Sequence, residues 1–467
     1  GPGPGPGPRR WPEHCPAVNC TRRRFLPLPA AAGAVRCPGS GPRTLASAWQ
    51  SLRSLDADVR GEQTILFDAD QVVPALESLK KQSVDIIVQL QVTFTDEAMT
   101  MEIVRQTKVP LLLWSFPEPR SGGRLRLNSF CGINLAAHAL SRAGLDYEYV
   151  HGAPDDRQAL EHITVLAQAA AVKRSLKGTR IGVIGQHPDG FDACMYSHQE
   201  CVDLFGVEIG EHDLMEFLES LKALDDDAAH PHFEERRKVL VNLEEMDRDA
   251  TIKSLKAYEG MRRLIEEKGY AGLAVRCWPH FFTHYGGAAC GAIAMLNEHF
   301  IPGGCEADVH GVITALILQR LAGEPAFNTD LVDMDRESDT CVFWHCGQAP
   351  VQMADPEVEV RATIHSNRKL PLLNEFPLKP GRITMARFSK GHDRATMVLG
   401  GGEMVRAPLP FSGTSGVAKL DSPIGEVLDN LMQAGLEHHT AIVYGEFRPA
   451  LRKLATLINI EIVELTN

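Results

Sequence analysis

The chain has 467 residues, 44% of them hydrophobic, enough to bury two or three ordinary domain cores. Its net charge of −12 is unevenly spread: residues 1–55 carry eight arginines against the single acid Glu13, a net +7, which leaves −19 on the remainder. So acidic a body repels nucleic acid and anionic membrane surfaces, and points to a neutral small molecule or a cation-bridged ligand as partner.

Residues 1–42 open with Gly-Pro repeats and continue rich in Pro and Arg without an amphipathic period, a composition expected to stay disordered. The Arg-rich, acid-poor opening is compatible with an organelle transit peptide, and about as well with a cloning or gene-assembly artefact. The one apolar stretch there, residues 25–35, is short and broken by Pro27 and Pro29. From residue 64 the pattern becomes regular. A first α/β domain is expected over 43–176, with helices near 71–82, 95–107, 131–143 and 156–176 around strands at 85–90 and 109–116. A second, over 177–350, has strands at 180–185 and 272–277 and a helix at 244–268. Continuous apolar strands divided by helices argue for parallel sheets covered on both faces, hence two Rossmann-like, doubly wound α/β domains. Beyond Pro350 the period shifts toward alternation at 357–364, 382–388 and 396–399. A β-rich C-terminal domain over 351–467 is expected, closed by a helix at 448–457, with Gly400 to Gly402 as a turn between strands.

The eleven cysteines are odd in number and scattered, and Cys131, Cys277, Cys305 and Cys341 lie in apolar runs. That usage predicts reduced core thiols of an intracellular, cytoplasmic protein without a disulfide framework. No run of 18 apolar residues occurs, so no transmembrane span is expected. Phosphate-binding glycine signatures are absent too, and a nucleotide cofactor has little support.

Three groups stand just past the ends of apolar strands, where an α/β sheet presents its ligands: Glu306, Asp330 and His345. Far downstream comes Glu437-His438-His439. Two carboxylates with one or two imidazoles make a mixed oxygen and nitrogen set suited to Mn²⁺ or a similar divalent ion. The same residues admit a purely structural reading, in which Glu306 caps a helix beginning near Ala307, Asp330 closes a turn and the His pair is a solvated corner.

An ordered set of motifs changes that balance. Pro110-Leu-Leu-Leu-Trp114, Gly123-Arg-Leu-Arg-Leu-Asn-Ser129, Cys131-Gly-Ile-Asn134, Arg276-Cys-Trp-Pro279, Cys305-Glu-Ala-Asp308, Gly323-Glu-Pro-Ala-Phe327 with Asp330, Trp344-His-Cys-Gly347, Phe411-Ser-Gly-Thr414 and His438-His439 together resemble the L-fucose isomerase-like family. The resemblance runs over residues 56–467. It implies a metal-dependent aldose–ketose isomerase acting on a fucose- or arabinose-like sugar through an enediol. It further implies a Mn²⁺ ion held by Glu306, Asp330 and His439, with His345 as a further ligand or near neighbour. Glu306 and Asp330 are then the catalytic carboxylates, while Trp278, Asn128, Ser129 and His438 line the sugar pocket. A homo-oligomer is implied as well. Family members begin with a strand carrying a substrate-reaching Arg, for which residues 1–55 offer no evident counterpart, so the first domain is expected to lack its opening strand. A non-catalytic sugar-binding protein and a metal-dependent aldolase or epimerase are the rival readings.

Overall fold

The structure, a computed structural model, describes residues 23–30, 40–61, 65–80 and 84–466, with backbone alone for 23–30, Ser40 and 78–80. Residues 21–174 and 175–467 pack as two separate units.

The first unit is built on a five-stranded, all-parallel sheet. Its strands are β1 (Arg23–Ala30), β2 (Ala57–Val59), β3 (Ile86–Gln91), β4 (Leu111–Ser115) and β5 (Glu148–His151), in the order β2-β1-β3-β4-β5. Every residue of β3 and β4 is buried, as expected for central strands covered on both faces. Ile87, Leu111 and Leu113 pack there with Met99 and Ile103 of the helix Ala98–Gln106, and with Ile133 and Leu140 of the helix Ser129–Arg142.

β1 corrects the expectation for the N-terminus. It lies within the segment expected to be disordered and supplies the strand expected to be missing. The helix Ser40–Ser54 likewise begins inside that segment; residues 1–22 and 31–39 lie outside the described ones. Pro27 and Pro29 lie within β1, and each lacks a backbone donor for the ladder. They stand two residues apart, so the lost donors fall on one side. β2 pairs only with Arg23 to Phe25, whereas β3 follows β1 through to Ala30, so Pro27 and Pro29 are needed for one neighbour and not for two.

The second unit holds two sheets. The smaller, order β7-β6-β8-β9, is parallel and comprises β6 (Arg180–Ile184), β7 (Glu208–His212), β8 (Gly272–Val275) and β9 (Gly303–Gly304). The larger is a nine-stranded mixed sheet of β10 (Phe327–Asp335), β11 (Thr340–His345), β12 (Arg361–Thr363), β13 (Leu373–Pro377), β14 (Gly381–Ser389), β15 (Thr396–Val405), β16 (Thr414–Leu420), β17 (His439–Tyr444) and β18 (Glu461–Glu464). Its order is β12-β13-β16-β11-β10-β17-β14-β15-β18. The boundary expected at 350 is therefore not where the packing divides. Phe327 of β10 and Phe343 of β11 share a core with Phe376, Ile383 and Ile442, so the β-rich layer claims strands that chain order assigned to the preceding domain.

Three local expectations also change. Asp330 sits within β10, not past a strand end. Gly400 to Gly402 run through the middle of β15, where a Cβ on Gly400 would stand 2.7 Å from the Met385 side chain; glycine there makes room for the neighbouring strand. Cys277 and Cys305 are joined in a disulfide with Cα atoms 5.7 Å apart, because the pairing of β8 with β9 carries both chains side by side just beyond the strands. Cys131 is exposed, whereas Cys341 is a buried free thiol as expected. Among the described residues, no helix is long and apolar enough to cross a membrane.

Candidate active site

The candidate residues of the second unit converge through strand register. β10 and β17 run antiparallel with Asp330 directly opposite His439, so the two side chains share a face although they are far apart in sequence. Glu306 arrives from another direction, on the loop between β9 and the helix Val309–Ala322. Its backbone lies in the left-handed region at φ 57, and Ala307 follows at φ 55. A side-chain-bearing residue held there at a cost of order 1–3 kcal/mol needs surroundings that enforce it. Those are the disulfide at the preceding residue, Cys305, and the bond from Ala307 N–H to the Val275 carbonyl at 3.1 Å.

Nε2 of His439 is 3.4 Å from Asp330 Oδ1 and 3.6 Å from Glu306 Oε2. Its other nitrogen, Nδ1, donates to Asp308 Oδ2 at 2.8 Å. With its proton fixed on Nδ1, a neutral His439 turns an open lone pair toward the two carboxylates. Asp308 is held in turn. Its Oδ1 caps the helix Val309–Ala322 by accepting from Gly311 N–H at 2.9 Å, and its Oδ2 accepts from Arg387 of β14 at 2.5 Å. Gly311 has to be glycine, since a Cβ would come within 2.4 Å of that carboxylate. Burial works against an ionised Asp308, but the Arg387 guanidinium and the His439 N–H outweigh it and hold its carboxyl well below the usual carboxylate range.

Glu306 is clamped from two sides. Trp278 Nε1 donates to Oε1 at 3.1 Å and His438 Nε2 donates to Oε2 at 3.2 Å. Burial alone would favour the neutral acid. The hydrogen bonds from His438, above all, and from Trp278 oppose it and keep the Glu306 carboxyl below its ordinary value. His438 is correspondingly raised, first by its bond to Glu306. Phe191 packs edge-on against both Trp278 and His438, at 5.3 and 5.9 Å between ring centres.

His345 is buried 5.8 Å from the His439 ring, but its Nδ1 accepts from the Cys346 backbone N–H at 2.8 Å. That places the proton of the neutral ring on Nε2, the form that donates to an anion instead of ligating a metal. Of the two roles expected for His345, further ligand or near neighbour, this hydrogen bond favours the neighbour. Asn128 and Ser129 belong to the first unit. The Ser129 hydroxyl is buried there, accepting from Phe116 N–H at 2.9 Å and donating to the Gln91 carbonyl, so it is committed to backbone and not offered to a ligand.

The donor set fits a divalent cation. Asp330 Oδ1 is buried without a hydrogen-bond partner, an orphaned acceptor aimed at His439. Asp330, His438 and His439 bring ligand atoms within 4.8 Å of one another, as do Cys194, Glu306 and His439. Oxygen and imidazole ligands suit a hard to borderline ion, whereas burial raises the Cys194 thiol and keeps it protonated. Sequence reading missed Asp308, Arg387 and Cys194. Asp308 was visible only as the last residue of a motif, and nothing in the chain signals that Arg387 lies beneath it.

Comparison with known proteins places the chain. A family described as fucose/sulfoquinovose isomerase, N-terminal domain, matches residues 44–180. A sulfoquinovose isomerase from Alkalicoccus urumqiensis is 33% identical over 383 residues, 82% of this chain and 86% of the relative. One from Priestia aryabhattai is 32% identical over 85% of this chain and 90% of the relative, and one from Clostridium sp. (strain MSTE9) is 30% identical over 88% and 92%. The solved structure of an ABC sugar transporter (periplasmic sugar binding protein) from Legionella pneumophila aligns with 65% of this chain and 97% of that chain at 12% identity. Its TM-score of 0.17 carries no argument about fold.

Proposed function

We propose that this protein, which belongs to the fucose/sulfoquinovose isomerase family and is an aldose–ketose isomerase, interconverts sulfoquinovose and its ketose with Mn²⁺ held by Glu306, Asp330 and His439. The fucose- or arabinose-like sugar expected from sequence is replaced by the sulfonated one because the relatives matched over most of the chain are named for it. The convergence of Glu306 and Asp330 on the open nitrogen of His439 carries the reading.

Held by these residues, a divalent ion would stabilise the negative charge that develops on the sugar's oxygens and so make the C2 proton more acidic. Glu306, held ionised and oriented by Trp278 and His438, takes that proton from C2 of the open-chain aldose and returns it to C1, while the hydroxyl proton on O2 passes to O1, so the C1 aldehyde becomes the alcohol and the C2 alcohol becomes the ketone. Asp330 faces the same His439 nitrogen as Glu306 and flanks the reacting carbons beside it. The Trp278 ring offers an apolar face for the sugar's C–H groups. His345 stays outside the ligand set.

The direct test is to incubate the purified protein with sulfoquinovose and Mn²⁺ and to follow the ¹³C spectrum, with a chelator-treated control. Appearance of the ketose signals in the metal-loaded sample alone is the expected result. Ketose formed at the same rate after chelation refutes the metal assignment, and cleaved or epimerised products refute isomerisation of this sugar.

A further inference from the structure

Among the described residues, four arginines bury Nε without an acceptor: Arg236, Arg276, Arg320 and Arg387. Three of them use their terminal nitrogens elsewhere. Arg236 binds Glu298 and Asn374, Arg320 binds Ser175 and Thr179, and Arg387 binds Asp308 and the Ala193 carbonyl. The Arg276 side chain makes no hydrogen bond or ion pair to any described residue. A guanidinium with a buried, unsatisfied donor is costly, and in a chain of net charge −12 its lack of a carboxylate partner stands out.

Its position suggests where the acceptor comes from. Arg276 follows β8, with its backbone N–H on the Ile184 carbonyl at the end of β6, at 2.9 Å. Its side chain lies against Gly185, where an added Cβ would sit 3.1 Å from Arg276 Cβ and 3.2 Å from Leu214 Cβ. It therefore stands over the carboxyl ends of parallel strands, the place where doubly wound sheets receive ligands. Two residues on is Trp278, which hydrogen-bonds the proposed base Glu306. The loop after β8 thus carries both Arg276 and Trp278, and the Cys277–Cys305 disulfide ties it to the loop that carries Glu306.

We propose that Arg276 receives the anionic, tetrahedral end group of the substrate, the sulfonate, and so makes the site choose a charged over a neutral sugar. This rests on the sulfosugar reading above. Arginine's planar fork suits two parallel hydrogen bonds to sulfonate oxygens, and a phosphate ester shares that chemistry.

The test compares the wild type, Arg276→Met, Arg276→Lys and Arg368→Met on sulfoquinovose, glucose 6-phosphate and the neutral 6-deoxyglucose, all with Mn²⁺. Arg368 is the control because its guanidinium carbon lies 5.9 Å from the Trp278 ring centre, the alternative cation beside the site. Arg276→Met should raise KM for sulfoquinovose on the order of 10²-fold with kcat little changed, the loss of a charge-assisted pair. It should leave kcat/KM for 6-deoxyglucose unaltered, which also shows that the variant is folded, and Arg276→Lys should fall between. An unchanged KM in Arg276→Met, or the loss appearing in Arg368→Met instead, overturns the assignment while the sulfosugar reading stands. A wild type that prefers glucose 6-phosphate overturns the sulfonate in favour of phosphate. A wild type that turns over only the neutral sugar refutes the sulfosugar reading and this inference with it.

Discussion

Replacing Asp308 by Asn tests whether the site depends on a carboxylate behind His439. The side chain is fully buried and its partner Arg387 is 3% exposed, so the substitution keeps the shape but strands a buried guanidinium against a neutral amide. Breaking a buried pair from one side costs about 3–5 kcal/mol of stability. Separately, His439 loses the charge that fixes its Nδ1 proton and raises the basicity of Nε2. Loss of such an outer partner lowers metal affinity by about 10- to 100-fold, or about 1.4–2.8 kcal/mol. The two effects are separable with Asp308→Asn/Arg387→Met, which removes the stranded charge. Mn²⁺ titrated calorimetrically into each protein, at a temperature where circular dichroism shows it folded, gives the affinity, and thermal melts give the stability. The double variant should regain much of the melting temperature while its Mn²⁺ affinity stays low. Affinity that returns together with stability, or never falls in Asp308→Asn, would mean that Asp308 serves only the fold and that the orientation of His439 has another source.

Glu306→Gln should keep the hydrogen bond from Trp278 and the fold, yet lose about 10²- to 10⁴-fold in kcat as the base is removed; near wild-type turnover would make Glu306 structural. His439→Gln should abolish tight Mn²⁺ binding in a direct titration, whereas His345→Gln should reduce it far less, since the His345 lone pair is taken by the Cys346 N–H. Equal losses would return His345 to the ligand set. Away from the site, Glu446 is bonded by Arg448 and Arg382, which outweigh its burial and depress its carboxyl to about 2. Its stabilisation is complete above the ordinary value of 4.5 and fades as the pH falls toward 2. Glu446→Gln should therefore melt lower at neutral pH and lose less further stability on acidification than the wild type; parallel curves would remove Glu446 from the acid response.

The α/β character was legible from sequence because fully buried parallel strands must be continuously apolar, as β3 and β4 are, and because helix periods separate them. The helix Arg448–Leu457 and the strand at 86–91 stood out for the same local reason. Glu306, Asp330 and His439 were visible as chemistry-bearing residues in an ordered motif set, but what joins them is register: Asp330 faces His439 only because β10 pairs with β17, a pairing set by side chains across the whole sheet. The N-terminal strand lies in a Pro- and Arg-rich segment with no amphipathic period, and its two prolines are tolerable because, among the described residues, β2 pairs only with Arg23 to Phe25. The Cys277–Cys305 bond and the Asp308–Arg387 pair are likewise invisible in a linear chain, because each joins residues from different elements. Local patterning thus determined which segments form strands and helices and which residues can do chemistry. Tertiary packing decided which imidazole nitrogen carries the proton at His439 and His345, and left the Arg276 side chain with no acceptor among the described residues, because each depends on a neighbour that only the folded chain supplies.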